Sequence, residues 1–265
     1  MPRVESIYVY PIKSLPSRSV ETATIGPRGS LVRDRQYAMV DDTGAYVNGK
    51  RTAAVHRIDA DFDPSGTIVT LGDGEETARF DLEAERTRAQ AWLSERFEPE
   101  ITLDVDDRLG FPDDTTDTGP TVISTGTLST VAEWFGSVDG PTELRRRLRP
   151  NIVVEAEPFW EDRLYAGVDE YRRFAVGPVD FEGTGPCQRC VVPTRDPDTG
   201  RETAGFQDTF VEKRRETLPP WANQEQFDHY FRVMVNTRTP SDSRGRTISV
   251  GDEVVIGEIH KSGPD

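Results

Sequence analysis

The stretch Ile101-Thr102-Leu103-Asp104-Val105 alternates apolar and polar residues without a break, which is the pattern of a β-strand with one buried face. Other β-rich stretches precede it at residues 4–10, 36–40 and 67–71. Turn-forming sequences lie between them, such as Gly26-Pro27-Arg28-Gly29 and Asp63-Pro64-Ser65-Gly66. Short strands joined by tight turns predict a small barrel or sandwich in the N-terminal half.

The rest of the chain adds a few short helices to further strands. Apolar spacing predicts a helix over residues 85–97, Thr127 and Thr142 are candidate helix caps, and a helical piece is expected near 210–216. Strands are expected at residues 151–154, 173–176, 231–236 and 248–256. The polar, turn-rich segment 108–119 predicts a boundary near residue 115, with domains over 1–115 and 116–262. The fold class is therefore a β-dominated α+β fold.

The 265 residues carry 47 Asp and Glu against 32 Lys and Arg, a formal net charge of -15. Such a surface repels nucleic acid and anionic membranes, so neither is an expected partner. The chain shows no signal peptide and no apolar run long enough to span a bilayer, which favours a cytoplasmic protein. Lysines occur only at Lys13, Lys50, Lys213 and Lys261. The lysine-poor, acidic composition suits concentrated salt, although it also fits a protein that is simply acidic.

Two cysteines, Cys187 and Cys190, are the most unusual feature. They follow Gly183-Thr184-Gly185-Pro186, which predicts a turn after a strand, and Arg189 beside them favours a thiolate. A structural zinc site needs further paired ligands that the three histidines do not offer. In a thiol-disulfide enzyme, a C-x-x-C motif such as Cys187-Gln188-Arg189-Cys190 is expected at the start of a helix. Here Val191-Val192-Pro193 follows the motif instead. The third interpretation is a soft metal held by one thiolate, with its other ligands supplied by a cofactor. This site requires the fewest further ligands from the rest of the sequence.

Clustered arginines could form an anion site in this acidic chain. They occur in Arg33-Asp34-Arg35 and in the run from Arg145 to Asn151, and Lys13-Ser14 adds a lysine and a hydroxyl on a loop. Surface arginines paired with carboxylates are the alternative interpretation of the same patterns. Asp196-Pro197-Asp198-Thr199-Gly200 lacks the ligands of a calcium loop and predicts a tight turn.

Taken together, four ordered motifs resemble the molybdenum cofactor sulfurase C-terminal (MOSC) domain family. They are Tyr10-Pro11-Ile12-Lys13-Ser14, Arg33-Asp34-Arg35, Arg149-Pro150-Asn151-Ile152, and Cys187-Gln188-Arg189-Cys190 with the Asp196–Gly200 turn. More closely, the motifs resemble members with an N-terminal β-barrel domain, the mitochondrial amidoxime-reducing components and their bacterial relatives. The resemblance implies an N-terminal β-barrel-like domain followed by a MOSC β-barrel with short peripheral helices.

The resemblance also implies a site for a molybdenum-pterin cofactor (Mo-molybdopterin). Cys190 falls on the metal ligand and catalytic position, whereas Cys187 is a neighbouring thiol. The cofactor-binding positions fall on Lys13, Ser14, Arg35, Asp117, Thr118, Arg149, Asn151, Arg189 and Cys190. Where relatives carry Thr-Ala-Arg-Gln, this chain has Val47-Asn48-Gly49-Lys50, which puts any contact there in doubt.

The implied activity is two-electron reduction of small N-hydroxylated substrates at a Cys-ligated molybdenum. A plant-type iron-sulfur cluster needs four thiolates, and no nicotinamide fingerprint occurs, so a separate electron-donor protein, a ferredoxin or a small haem protein, is expected. A non-catalytic cofactor carrier and a sulfur-transfer protein are the alternative functions.

Overall fold

The computed structural model describes residues 1–262. Its helices are α1 (Arg86–Ser94), α2 (Thr125–Glu133), α3 (Gly140–Leu148) and α4 (Phe206–Glu216). Its strands, in chain order, are β1 (Arg3–Val9), β2 (Arg18–Val20), β3 (Thr22–Thr24), β4 (Tyr37–Val40), β5 (Asp59–Phe62), β6 (Ile68–Gly72), β7 (Thr77–Asp81), β8 (Thr102–Val105), β9 (Val122–Ser124), β10 (Ile152–Glu155), β11 (Glu170–Val176), β12 (Val179–Gln188), β13 (Arg232–Arg238), β14 (Thr247–Ser249) and β15 (Val254–Lys261). The expected β-dominated α+β class is confirmed.

An eight-stranded sheet organises the second half and also takes in β1 and β2, in the order β15-β11-β12-β13-β9-β10-β1-β2. The strand period of two sends neighbouring side chains to opposite faces. Val122 and Ile152 join the core on one face, whereas Ile123 and Val153 pack with the helices on the other. Since both faces are covered, the central strands consist almost entirely of buried apolar residues.

The N-terminal half has a separate core. The pair β4–β8, the sheet β5-β6-β7 and α1 enclose Tyr37, Leu71, Leu93 and Leu103, all of them buried. The strand predicted from the alternation at 101–105 is therefore present, and its inward residues serve this core. Leu15, which follows the Lys13-Ser14 loop, packs into the same core and fixes that loop's position.

Two predicted strand ends are wrong. The Gly183–Pro186 segment was expected to turn, but β12 continues through it to Gln188, with register shifts after Gly183 and after Pro186. Glycine and proline are tolerated inside a strand at such bulges. The predicted strand 248–256 is instead divided into β14 and β15, because a turn with Gly251 at φ 87° separates them.

Both predicted helix caps are also wrong. Ser124 caps α2 by accepting a hydrogen bond from the Thr127 N–H, so Thr127 lies inside the helix. In α3 the N-cap is Asp139, and Pro141 in the first turn fits because that position has no intrahelical donor to lose. Helix α4 begins at Phe206, four residues before the expected helical piece, because Phe206 and Phe210 are both buried against α2 and β13 residues.

Candidate functional site

A large cavity of about 570 Å³ lies where the N-terminal and C-terminal halves meet. Its wall comes from the Lys13 loop, the segment before β4, the segment 109–121, the end of α3 and the end of β12. The structure brings every candidate residue from the sequence to this wall: Lys13, Ser14, Arg35, Asp117, Thr118, Arg149, Asn151, Arg189 and Cys190. The motifs are far apart in sequence, so the fold itself assembles them.

Strained backbone is concentrated around the cavity. Within residues 1–262, six non-glycine residues have positive φ, and four of them line the cavity: Ser14 (75°), Arg35 (51°), Arg149 (60°) and Met234 (69°). A side chain in this region costs on the order of 1–3 kcal/mol relative to ordinary backbone, and such residues cluster at functional sites. The geometry therefore marks the cavity as a functional site independently of residue type.

The left-handed conformation of Arg149 is set by its position at the end of α3. Pro150 disfavours helical backbone in the residue before it, so α3 cannot continue through Arg149. Arg149 instead acts as a left-handed C-cap, and its N–H donates to the Arg145 carbonyl at 2.8 Å. This conformation directs the guanidinium into the cavity, over the ring of Tyr10 at 4.2 Å.

Asp34 and Asn151 hold the two halves together at the cavity floor. One Asp34 carboxylate oxygen accepts from the Tyr10 N–H at 2.9 Å and from the Asn151 amide at 3.1 Å. The same amide nitrogen donates to the Tyr8 carbonyl at 3.0 Å. Asn151 therefore has a structural role besides facing the cavity, and Asp34 also pairs with Arg35.

Three cations converge on one side of the cavity. Lys13 and Arg35 form ion pairs with Asp113, at 2.7 Å and 3.4 Å. Arg149 donates to the Leu15 carbonyl at 2.8 Å and makes no ion pair with a carboxylate within residues 1–262. Burial, together with repulsion from Arg35, lowers the pKa of Arg149, and burial also lowers the pKa of Lys13 despite Asp113. The cluster has an excess of positive charge, which a bound anion would neutralise.

The two thiols differ in environment. Both are free, and both line the cavity. Cys187 packs against the core beneath the helices, and its Sγ donates to the Asn236 side-chain oxygen at 2.7 Å. Burial raises the pKa of Cys187 although Arg189 opposes the shift, so this thiol stays protonated. Cys190 lies beyond the end of β12, on the segment that leads into the next loop.

Buried donors without protein partners point into the same space. The Nε atoms of Arg189 and Arg195 are buried, and neither donates to any group of the described chain, 1–262. Both residues line the cavity. Buried N–H groups are nearly always paired, so an acceptor-rich ligand would satisfy them. A pterin with a phosphate and a soft metal that takes a thiolate fits this set of donors, cations and thiol.

Asp117 and Thr118 make contacts that the sequence does not reveal. The Asp117 carboxylate accepts from the Thr184 hydroxyl at 2.6 Å and pairs with Arg238 at 3.1 Å. The Thr118 hydroxyl donates to the Arg28 carbonyl at 2.9 Å. Both side chains thus tie the segment 109–121 to its neighbours at the cavity edge. Around Asp196 the expected tight turn is present, with its carboxylate accepting from the Thr199 N–H at 2.7 Å.

Sequence reasoning missed several cavity residues. Tyr10 is buried beneath Arg35 and Arg149, and its ring contacts both guanidinium groups. His56 lies half-buried in the cavity wall, where burial and Arg149 lower its pKa. Asp113 pairs with two of the candidate cations. For Tyr10 the signal was its place in the quoted Tyr-Pro motif; Asp113 and His56 lie outside every motif.

Comparison with known families is consistent with this arrangement. The family model described as the MOSC N-terminal beta barrel domain matches residues 1–107, and the model described as the MOSC domain matches residues 121–255. This chain belongs to the MOSC family. The resemblance seen in the motifs is confirmed, as is the order of a barrel-type MOSC N-terminal domain followed by a MOSC domain. MOSC membership supports binding of a molybdenum cofactor.

Other comparisons add the following. Among curated proteins, none matches this MOSC chain. Among solved structures, it is similar to the crystal structure of the YuaD protein from Bacillus subtilis, at 14% identity and a TM-score of 0.39, with 99% of this chain and 98% of that chain covered. No helix within residues 1–262 is both long enough and apolar enough to cross a membrane.

Proposed function

We propose that this MOSC protein is a molybdenum-cofactor-dependent oxidoreductase that reduces small N-hydroxylated compounds by two electrons. The observation that carries the proposal is the convergence of Lys13, Arg35 and Arg149 with Cys190 on one cavity. A cationic cluster with excess positive charge suits a phosphate, and a thiolate suits molybdenum. We place the protein in the cytoplasm, with no nucleic-acid or membrane partner.

The chain's own residues would divide the binding task. Lys13, Ser14, Arg35 and Arg149 would hold the phosphate of Mo-molybdopterin, because guanidinium and ammonium donors match phosphate oxygens. Cys190 would be the protein ligand of the metal. When bound, the cofactor would supply the two-electron redox chemistry. Cys187, protonated and bonded to Asn236, would support the segment that carries Cys190.

The proposed reaction consumes two electrons and two protons. The N–O bond of the N-hydroxylated substrate breaks, the reduced nitrogen gains one proton, and the hydroxyl takes up the other and leaves as water. The electrons must come from a separate donor, for which we propose a ferredoxin or a small haem protein. This sequence has two cysteines, fewer than the four thiolates of a plant-type iron-sulfur cluster.

The test begins with metal and pterin analysis of the purified protein, for which we expect about one of each per chain. Reduction of benzamidoxime is then measured with reduced viologen and, separately, with NADH or NADPH alone. Turnover is expected with viologen and not with the nicotinamides. Turnover with a nicotinamide alone would contradict the need for a separate donor.

The two cysteines provide a matched pair of variants. Cys190→Ala is expected to abolish turnover and lower molybdenum content, whereas Cys187→Ala keeps most of both. The reverse result would exchange the roles of the two thiols. Bound cofactor without turnover would favour the carrier function, and a persulfide on either cysteine with activity in the absence of metal would favour sulfur transfer.

A further inference from the structure

Asp113 lies against the cationic cluster although it belongs to no recognised motif. Its carboxylate pairs with the Lys13 ammonium at 2.7 Å through one oxygen and with the Arg35 Nε at 3.4 Å through the other. Its side chain remains 54% exposed, while those of Lys13 and Arg35 are 10% exposed. A carboxylate in this position presents oxygen atoms to two of the donors that a phosphate would use.

The other carboxylate at the cluster cannot play the same role. Asp34 is buried, and its oxygens are engaged by Tyr10, Asn151 and Arg35 as part of the floor that joins the two halves. Moving Asp34 would leave these donors unpaired. Asp113 has no such commitments, because its hydrogen bonds within residues 1–262 go to the cluster alone.

Asp113 also lies on a segment whose other contacts do not depend on its carboxylate. We call residues 111–118 the strap. At one end the Phe111 N–H donates to the Arg35 carbonyl at 2.8 Å; at the other, Thr118 donates to Arg28. In between, Lys13 also donates to the Pro112 carbonyl at 3.2 Å, Asp114 accepts from the Thr116 and Asp117 N–H groups, and Asp117 pairs with Arg238. The segment contains neither helix nor strand.

We propose that the Asp113 carboxylate and the cofactor's phosphate compete for the same donors of Lys13 and Arg35, so that anion binding displaces the Asp113 side chain, which acts as a latch over the anion site. The inference rests on the proposed function, since it assigns Lys13, Arg35 and Arg149 to a phosphate. In this proposal Asp113 competes with the ligand for the same cations. The site therefore favours ligands that carry more negative charge than one carboxylate.

Displacement follows from the charges. Around the cluster, Lys13, Arg35 and Arg149 supply three positive charges, and Asp34 neutralises one of them permanently. A phosphate dianion balances the remaining two at these three cations, whereas a phosphate together with Asp113 would place two like charges in contact on the same donors. Protonation does not relieve this repulsion, because attraction from Arg35 and Lys13 outweighs desolvation and holds the pKa of Asp113 well below its usual range. The ionised carboxylate has to move away.

The test measures binding of inorganic phosphate by calorimetry at fixed ionic strength, in wild type, Asp113→Asn and a control. The control, Asp107→Asn, removes the same charge from an exposed aspartate outside the cavity. We expect Asp113→Asn to bind phosphate about tenfold more tightly, the order of one like charge removed from a partly exposed contact. Asp107→Asn is expected to match wild type.

Amide hydrogen exchange of the wild-type strap gives a second measurement. Phosphate is expected to speed exchange at Thr116 and Asp117, because displacement of Asp113 loosens the adjoining Asp114 turn that holds their N–H groups, while exchange in β9 and β10 stays unchanged or slows. A strap that instead became more protected would show that Asp113 remains in place and helps to hold the ligand.

The possible outcomes separate the latch from the proposed function. Equal or weaker phosphate binding by Asp113→Asn, with normal binding by wild type, would overturn the latch and leave the cofactor site standing. No phosphate binding by either protein would overturn the latch together with the phosphate assignment. Tighter binding by both aspartate variants would show an effect of net charge alone and would also overturn the latch.

Discussion

Replacing Arg149 by methionine separates the role of its charge from the role of its packing. Methionine keeps an unbranched stem over Tyr10 and is no more restricted at positive φ than arginine. The change removes the hydrogen bond to the Leu15 carbonyl, which costs about 1 kcal/mol. It also removes a cation that is disfavoured by burial and by Arg35. Since these effects oppose each other, the free energy of unfolding of the empty protein should change by no more than about 1 kcal/mol.

Ligand binding should respond far more strongly to the same substitution. A charge-assisted bond to phosphate is worth roughly 1.5 to 3 kcal/mol, so Arg149→Met should weaken phosphate binding by about tenfold to somewhat over a hundredfold. The assays are phosphate calorimetry and molybdenum and pterin content under limiting cofactor. Arg163→Met is the control, because Arg163 also stacks on an aromatic ring, that of Trp221 at 3.8 Å, outside the cavity.

Two results would refute this reasoning. Unchanged phosphate affinity and pterin content in Arg149→Met would show that the unpaired charge does not serve an anion. A loss of several kcal/mol in unfolding free energy would show that Arg149 is chiefly structural. Weaker binding with nearly unchanged stability is the combination that a binding arginine requires, and the Arg163 variant should show neither effect on the ligand.

Three further predictions concern stability. Gly183→Ala places a Cβ into the Leu164 carbonyl and should cost about 3 kcal/mol or more in urea unfolding, while Gly136→Ala, in open space, should not. Burial, followed by repulsion from Asp162, raises the pKa of Glu161 to about 7. The melting temperature of the wild type should therefore fall as the pH rises through neutrality, because the buried carboxyl then ionises. Glu161→Gln should remove this pH-dependent fall. The net charge of -15 predicts a lower melting temperature in millimolar than in molar potassium chloride, and a temperature that did not fall would count against salt adaptation.

The sequence predicted strands best where one face is buried. The alternation at residues 101–105 gave the strand Thr102–Val105 nearly to the residue, because burial and local pattern agree there. The error at Gly183–Pro186 came from treating glycine and proline as turn signals. The segment stays in the sheet because β13 pairs with it on both sides of its bulges, which is tertiary information.

The site was predictable only in part for a similar reason. Patterns such as Arg33-Asp34-Arg35 mark clustered charge, but they do not say which member faces a ligand. In the structure Asp34 is part of the floor and Arg35 faces the cavity, a division set by the left-handed backbone at Arg35. Asp113 gave no signal at all, since its two partners lie far away in sequence and are joined only by the fold.

The residues that line the cavity lower the stability of the folded protein. Ser14, Arg35, Arg149 and Met234 each hold a conformation that glycine would adopt with less strain, at on the order of 1 kcal/mol or more per residue. Convergent cations add repulsion to this strain. A ligand that binds only the folded state returns stability by mass action, about 2.7 kcal/mol at a hundred times its dissociation constant. Backbone strain and converging positive charge, offset by the free energy of anion binding, are therefore consistent with a protein that works with a tightly held cofactor.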